Sequence, residues 1–316
     1  METLARLAGI IARHAPTDGA HDTPLPGVSL LRASAPTMPM PVVYAPTLCL
    51  VAQGRKQAVL GSTAYVYDAA NYLVASVDLP VMGAVIEASP DRPYLCLRLD
   101  LDMAALSDLA LRHPPAAALP DGAGPGLSLH RSTPELQDAA LRLAALLDTP
   151  ADIDALAPLV LREILYRLLT GPDQHAVRQM AQANSRLSAI ARAIVWLRAH
   201  YAQECRIDEL AGVARMSRST FHARFKAVTA MSPLEFRTQL RMQEARRMMV
   251  AEGLDAASAG FRVGYESPRN SAATTCGCSA RRRPRLRSAC APRAWRRRTS
   301  RRAVLRQIHK ATNLPK

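Results

Sequence analysis

The stretch from Ile207 to Met231, IDELAGVARMSRSTFHARFKAVTAM, constrains this chain more than any other. Its apolar residues fall at helical spacing in two short runs separated by Arg215-Met216. Asp208 is placed to cap a first helix that buries Leu210, Ala211 and Ala214. Small Ala211 and Gly212 let a second helix come close. Ser217 caps that second helix, which is predicted to run to about Val228. At about 100° per residue from Phe221, Phe225 falls near about 40° and Val228 near about 340°, so these three make one buried stripe. Ser219, His222, Ala223 and Lys226 lie on the other side. A small, polar, cationic outer face on the second helix suits the major groove of duplex DNA. An ordinary helical hairpin with a solvated basic face has the same pattern, and this segment alone leaves both readings open.

The net charge of +15 points the same way only after it is divided along the chain. Residues 269–316 hold 15 Lys or Arg and no Asp or Glu, so the whole excess sits there. Residues 1–183 carry 13 basic and 18 acidic side chains, and residues 184–268 carry 13 and 8. An acidic front module followed by a mildly basic helical one fits a sensor joined to a DNA reader. Six cysteines form no framework. Cys49, Cys96 and Cys205 are read as isolated, buried, reduced thiols. Cys276, Cys278 and Cys290 lack a second CxxC or a spaced His pair, so no metal is expected. No apolar run is long enough to span a membrane and the start is too polar for a secretory signal, so a cytoplasmic protein is expected.

Three parts follow. Residues 1–183 form the first, a sensor or ligand-binding and dimerisation domain. After an amphipathic start, residues 42–101 have β texture: TLCLVAQ, KQAVLG, AYVYD, YLVAS, GAVIEAS and PYLCLRLDL, broken by Gly, Pro, Asn and Asp turns. Many short antiparallel strands predict a small barrel or sandwich. Two helices, Pro134 to Asp148 and Ile153 to Leu169, make a hairpin suited to a homodimer contact or to covering the β core. Residues 184–268 are all-helical. After the two helices already described, Ser232-Pro233-Leu234-Glu235 supplies a cap, a first-turn Pro and a Glu at the third position. That opens a long helix carrying Arg237 and Arg241, with Phe236, Leu240, Ala245, Met248 and Met249 inward. DAASAGFRVGYESP then starts a second unit of the same kind. Residues 269–316 are an Arg-rich tail, expected to be disordered.

LAGVARMSRSTFHARFKAVTAMSPLEF, LRMQEARRMM and GFRVGYESP together resemble the AraC/XylS transcription regulators. LVAQGRKQAVLG, YVYDAANYLVASVDLPV and SPDRPYLCLRLDLD resemble the AraC-type N-terminal sensor domain of one branch of that family. The resemblance implies an α+β protein. A cupin-like β-barrel with a helical hairpin comes first, then an all-α double helix-turn-helix module. It implies a sequence-specific regulator that binds double-stranded promoter DNA, takes a small-molecule inducer and works with RNA polymerase. No His-x-His set is present in the barrel region, so neither a metal nor another cofactor is expected, nor cupin enzyme chemistry.

The resemblance stops at Pro268, where the second unit is truncated. Synonymous codons for Asn270 to Arg283 permit a second frame, read from the last base of the Asn270 codon, that spells FSRDYVRLFGAPP. That is a good recognition helix followed by the ending the family shows. We read the tail as the product of a frameshift just after the Pro268 codon.

Within the first recognition helix, Ser219 and His222 are the candidates for base edges. Arg218, Arg224, Lys226, Arg237 and Arg241 are the candidates for phosphates. Ala223 stands where many family members carry a long basic side chain, and its methyl group can touch thymine. In the barrel, Tyr44, Gln53, Lys56, Tyr65 and Tyr67 are the candidate ligand contacts. Two other functions remain open at this point: a non-specific basic DNA-binding protein driven by the tail, or an enzyme on the barrel. Against the enzyme, no Ser/His/Asp set, paired carboxylates or Gly-rich phosphate loop stands out, and His113 and His130 are lone histidines.

Overall fold

The structure is a computed structural model that describes residues 2–115, 124–171, 174–182 and 185–265. The Arg-rich tail and the hidden-frame segment lie outside the described residues.

Helix α1 (Glu2–His14) buries Leu7, Ile10 and Ile11. The strands form two antiparallel sheets. One has six strands in the order β1 (Gly19–Asp22), β2 (Val28–Ala33), β9 (Tyr94–Asp100), β4 (Thr47–Gln53), β7 (Asn71–Ala75), β10 (Leu127–Arg131). The other has four, β3 (Met40–Tyr44), β8 (Leu79–Glu87), β5 (Arg55–Leu60), β6 (Thr63–Tyr67). The expected β domain is therefore a pair of facing sheets. β4 is buried along nearly its whole length, because one of its faces meets α1 and the other meets the opposite sheet. The first face carries Leu48 and Leu50, alternating with Cys49 and Val51 on the second.

Between β4 and β5 the chain passes from the six-stranded to the four-stranded sheet through the single residue Gly54. Gly54 has φ +81°, and a Cβ there would stand 2.7 Å from the Glu87 carbonyl and 2.9 Å from Tyr94 Cα. Gly54→Ala should therefore lower unfolding stability by about 2 kcal/mol or more, read from the midpoint of urea denaturation. A midpoint unchanged from the wild type would refute the strain argument.

Helix α2 (Met103–Arg112) lies between β9 and β10, and α3 (Pro134–Ala145), α4 (Ile153–Thr170) and α5 (Gln174–Ala181) follow β10. The predicted helical hairpin is present as α3 and α4. Two short 3-10 turns, Leu146–Asp148 and Pro150–Asp152, make the corner. Asp148 accepts from Arg13 at 2.6 Å and pairs with His14 at 2.8 Å, which ties this corner to α1.

Helix α6 (Arg186–His200) buries Ile190, Ile194 and Leu197 and opens the helical module. It is followed by α7 (Ile207–Ala214), α8 (Arg218–Thr229), α9 (Pro233–Ala251) and α10 (Ala256–Arg262). The two modules touch. The backbone N–H of Gly126, just before β10, donates to the Val228 carbonyl at 2.7 Å. Gly61, at the β5–β6 turn, abuts Ala230 so closely that a Cβ there would lie 2.9 Å from the Ala230 methyl carbon.

Candidate nucleic-acid interface and ligand site

The two short helices form as the spacing predicts, with one shift in capping. Arg206 is the N-cap of α7, and its backbone N–H donates to Glu209 at 3.5 Å. Asp208 sits inside the first turn instead and faces Arg218 at 3.8 Å. The turn closes on Arg215, a non-glycine residue in the left-handed region at φ 54°. Ser217 caps α8 by accepting from the Thr220 N–H at 3.3 Å. Phe221, Phe225 and Val228 are fully buried. The Phe225 ring meets Phe236 of α9 edge to face at 5.4 Å, a geometry that fixes the angle between α8 and α9.

That stripe decides where the other side chains go. Ser219, His222, Ala223 and Lys226 are exposed, as is Arg218, while Arg224 on the flank is half-buried. Ser217, Arg218, Ser219, His222 and Leu234 line an open concavity beside the start of α7. Ser219 and His222, nominated for bases, therefore share one accessible surface with Arg218, nominated for a phosphate. Ser232 and Glu235 form the reciprocal cap of α9. Hydrogen bonds from the Ser232 backbone and hydroxyl, more than the nearby Lys226 and His222, hold the Glu235 carboxyl below its usual range.

Arg237 is half-buried and donates to the Gln203 carbonyl at 3.3 Å. Arg241 corrects the sequence expectation. It is buried, and its guanidinium donates to the carbonyls of Tyr201 at 2.6 Å, Ala202 at 2.9 Å, Gln203 at 3.2 Å and Gly264 at 2.9 Å. It also lies over the Tyr265 ring. A fork with all its donors turned inward is a clamp between α6, α9 and the end of α10, not a phosphate contact. Met249 likewise is exposed, not inward.

In the front module, four of the five candidate ligand residues lie on β3, β5 and β6 of the four-stranded sheet. Lys56 pairs in register with Tyr67, and Ala58 with Tyr65. The Tyr44 and Tyr67 hydroxyls are 3.3 Å apart. The Lys56 ammonium lies 5.6 Å from the Tyr44 ring centre and 6.0 Å from that of Tyr94. Burial by itself pushes the Lys56 pKa down, but the nearby Tyr44 hydroxyl and the Cys49 and Cys96 thiols outweigh it, and the net shift is upward. Burial raises Tyr67 and Tyr94 well above the ordinary phenol range. Tyr65 is half-buried and is raised for the same reason. Gln53 is not part of this group: its amide donates to the Pro93 carbonyl at 2.8 Å.

Sequence reasoning missed four members. Cys49 pairs in register with Arg98, and Cys96 with Val51, so the two thiols are diagonal neighbours on one face instead of isolated. A hydrogen bond to Cys96, with burial, drives the Cys49 pKa up. Tyr94 and Arg98 share that face by strand alternation. The signal was present in the period of two in PYLCLRLDL, but only the partner strand says which face is inner.

The comparisons with known proteins agree with this geometry. Residues 24–176 match the model of the AraC-type transcriptional regulator N-terminus. Residues 210–275 match a helix-turn-helix domain, a match that ends shortly after Pro268. Putative AraC-like transcription regulators of Streptomyces lividans and Streptomyces antibioticus are 37% and 36% identical over 78 residues, which is 25% of this chain and 26% of each relative. The matched segment thus spans about a quarter of those relatives' length. Among solved structures, the apo form of a ToxT point variant from Vibrio cholerae has a TM-score of 0.51 at 10% identity, covering 80% of this chain and 93% of that one. Wild-type ToxT bound to an unsaturated fatty acid gives 0.51 at 10% identity, covering 78% and 89%. At such identity the likeness establishes the α+β fold. With a sensor-type β module and a helix-turn-helix module matched in order along one chain, this protein belongs to the AraC family of transcription regulators.

Proposed function

We propose that this chain is a sequence-specific DNA-binding regulator that answers to a small molecule through residues 1–183 and reads DNA through residues 184–268. One observation carries the reading: Phe221, Phe225 and Val228 are fully buried while Ser219, His222 and Lys226 on the same helix are exposed. This orientation leaves one polar, cationic helix face open to a major groove. Ser219 and His222 are assigned to base edges. Arg218, Arg224, Lys226 and Arg237 are assigned to phosphates, which position the helix without specifying sequence. No catalytic role is assigned to any residue. A cytoplasmic location agrees with the finding that no helix among the described residues is long and apolar enough to cross a membrane.

A small-molecule effector is supported by the inner-face cluster around Lys56 and by the fold shared with ToxT, which has been solved with an unsaturated fatty acid. A homodimer is supported by Leu156, Leu159 and Tyr166, large apolar side chains left exposed on α4.

The test is selection of binding sites from a random duplex library, followed by footprinting of wild type and variants. His222→Ala should lose about 1–3 kcal/mol of preference at one base pair while leaving affinity for scrambled DNA unchanged. Equal weakening on every sequence would demote His222 to a phosphate contact. Absence of any enriched site in the selection would overturn the assignment.

A further inference from the structure

Strand β8, LPVMGAVIE, has no polar side chain before Glu87. A strand reads that way when both of its faces are covered. Here only one is. Gly83 points inward, toward Lys56, Val42 and the Tyr44 hydroxyl, so Met82 and Ile86 point outward by alternation. Met82 stands between Pro41 of β3 and Val59 of β5. On the edge strands Val43 and Val66 face the same way, since Tyr44 and Tyr67 beside them face in. Val43, Met82, Ile86 and Val66 are 37–43% exposed. Along this outward face Gln57 is the one polar side chain before the strands end at the register pair Arg55 and Glu87. The six-stranded sheet has α1 packed on β2, β4 and β9. Among the described residues, the helix packed on the four-stranded sheet is α9, and it reaches β8.

A contiguous apolar patch of this kind marks a contact surface, and its chemistry selects a second copy of the same face. It has no row of cations for an anionic lipid or a nucleic acid. Its apolar centre and charged end match the anatomy of a protein interface. We infer that the outward face of the four-stranded sheet packs against the same face of a second copy of this chain, sheet on sheet. The strand order β3-β8-β5-β6 puts the middle of the sheet between β8 and β5. A two-fold axis along the strands at that line lays β5 of one copy over β8 of the other, so Val59 meets Met82. Arg55 of one copy then stands over Glu87 of the other, opposite charges that already sit in register within one sheet. Val66 comes over the approach to β3, where Met38 is 74% exposed. At ordinary strand spacing and rise the face measures roughly 20 Å by 20 Å. That is about half of the roughly 800 Å² per copy in a standard interface, and the rim around Met38, Arg55 and Glu87 supplies the rest. The same axis brings the two β5–β6 turns to one end of the pair. Each turn carries Gly61 against Ala230, so both helix-turn-helix modules lie at that end, within reach of one duplex.

This surface is separate from the exposed side chains of α4, a helix that packs on α2, α3 and α5. Its assay contains no DNA, so it stands or falls apart from the functional reading. Sedimentation equilibrium of the full chain is followed over a hundredfold range of concentration, in enough sodium chloride to silence the basic tail. Leu159→Glu first blocks the α4 surface. That chain should still form a dimer. Adding Val66→Glu or Met82→Lys should raise its dissociation constant at least a hundredfold, because each puts a charge into an apolar contact. Both side chains are exposed in a single copy, so the melting temperature of the dissociated chain should not change. If Val66→Glu does not fold, Met82→Lys carries the test. A Leu159→Glu chain that is monomeric at every concentration would overturn the surface, as would one that stays dimeric with both further substitutions. A monomer that floats with phosphatidylcholine vesicles, and ceases to with Val66→Glu, would give the face to a lipid and overturn it as well.

Discussion

Moving the gene into the hidden frame after the Pro268 codon is expected to raise specific DNA affinity by roughly 100-fold or more. The matched helix-turn-helix segment ends at residue 275, and the residues that follow in the present frame are rich in Arg, Ala, Pro and Ser and carry no apolar stripe. A helix without such a stripe has nothing to bury against α9. The hidden frame supplies one. If a second recognition helix reads two or three base pairs at about 1–3 kcal/mol each, its return is worth about 3 kcal/mol or more, hence the factor above. The repaired and present chains are compared on one duplex chosen by selection with the repaired chain. Alongside the affinity gain, the footprint should lengthen by about one helical turn. The salt dependence should fall too, because the 15 cationic side chains of the tail no longer add phosphate attraction. Equal footprints and affinities would refute the frameshift, as would genomic codons incompatible with FSRDYVRLFGAPP.

Arg241→Met is expected to destabilise the helical module by about 3 kcal/mol or more, since charge-assisted hydrogen bonds are worth about 1.5–3 kcal/mol each and the carbonyls left behind are partly buried. The guanidinium joins the carbonyls of Tyr201, Ala202 and Gln203 to that of Gly264. Lys cannot reproduce this fork, so Arg241→Lys should recover little. Amide hydrogen exchange should show α10 opening first, because its end is held through Gly264. Arg237→Ala is the contrast: about the same stability as wild type, DNA binding weakened on every sequence, and a salt slope lower by about one. If Arg241→Met instead kept its stability and showed that salt signature, the buried clamp would be disproved.

Much of this was legible in the sequence, for reasons that differ by element. The α8 stripe is a local matter: Phe221, Phe225 and Val228 follow from period 3.6 alone, and Ser217 signals the start. The strands were readable for the same reason, being bounded by Gly, Asn and Pro. What the sequence could not supply was pairing. Arg241 looks like a surface cation on a polar helix, and only the return of the chain at Gly264 turns it inward. Cys49 and Cys96 lie 47 residues apart in number, and no local pattern makes them neighbours. Gln53 and Lys56 looked equivalent, yet the break at Gly54 sends them to different sheets. The Asp208 cap was misplaced by two residues because Arg206 and Glu209 serve instead, an ordinary uncertainty at helix ends.

The β5–β6 turn has a mechanical meaning. At about 3.3 Å per residue, the strand from Lys56 to the Gly61 turn is a stiff rod of about 17 Å. One end stands among the tyrosines, and the other presses on Ala230 at the foot of α8. A hydrogen-bonded strand resists stretching and compression, so a fraction of an ångström of travel at the lysine arrives nearly undiminished at the helix foot. Small tilts at that pivot become larger sweeps at Ser219, at the far tip.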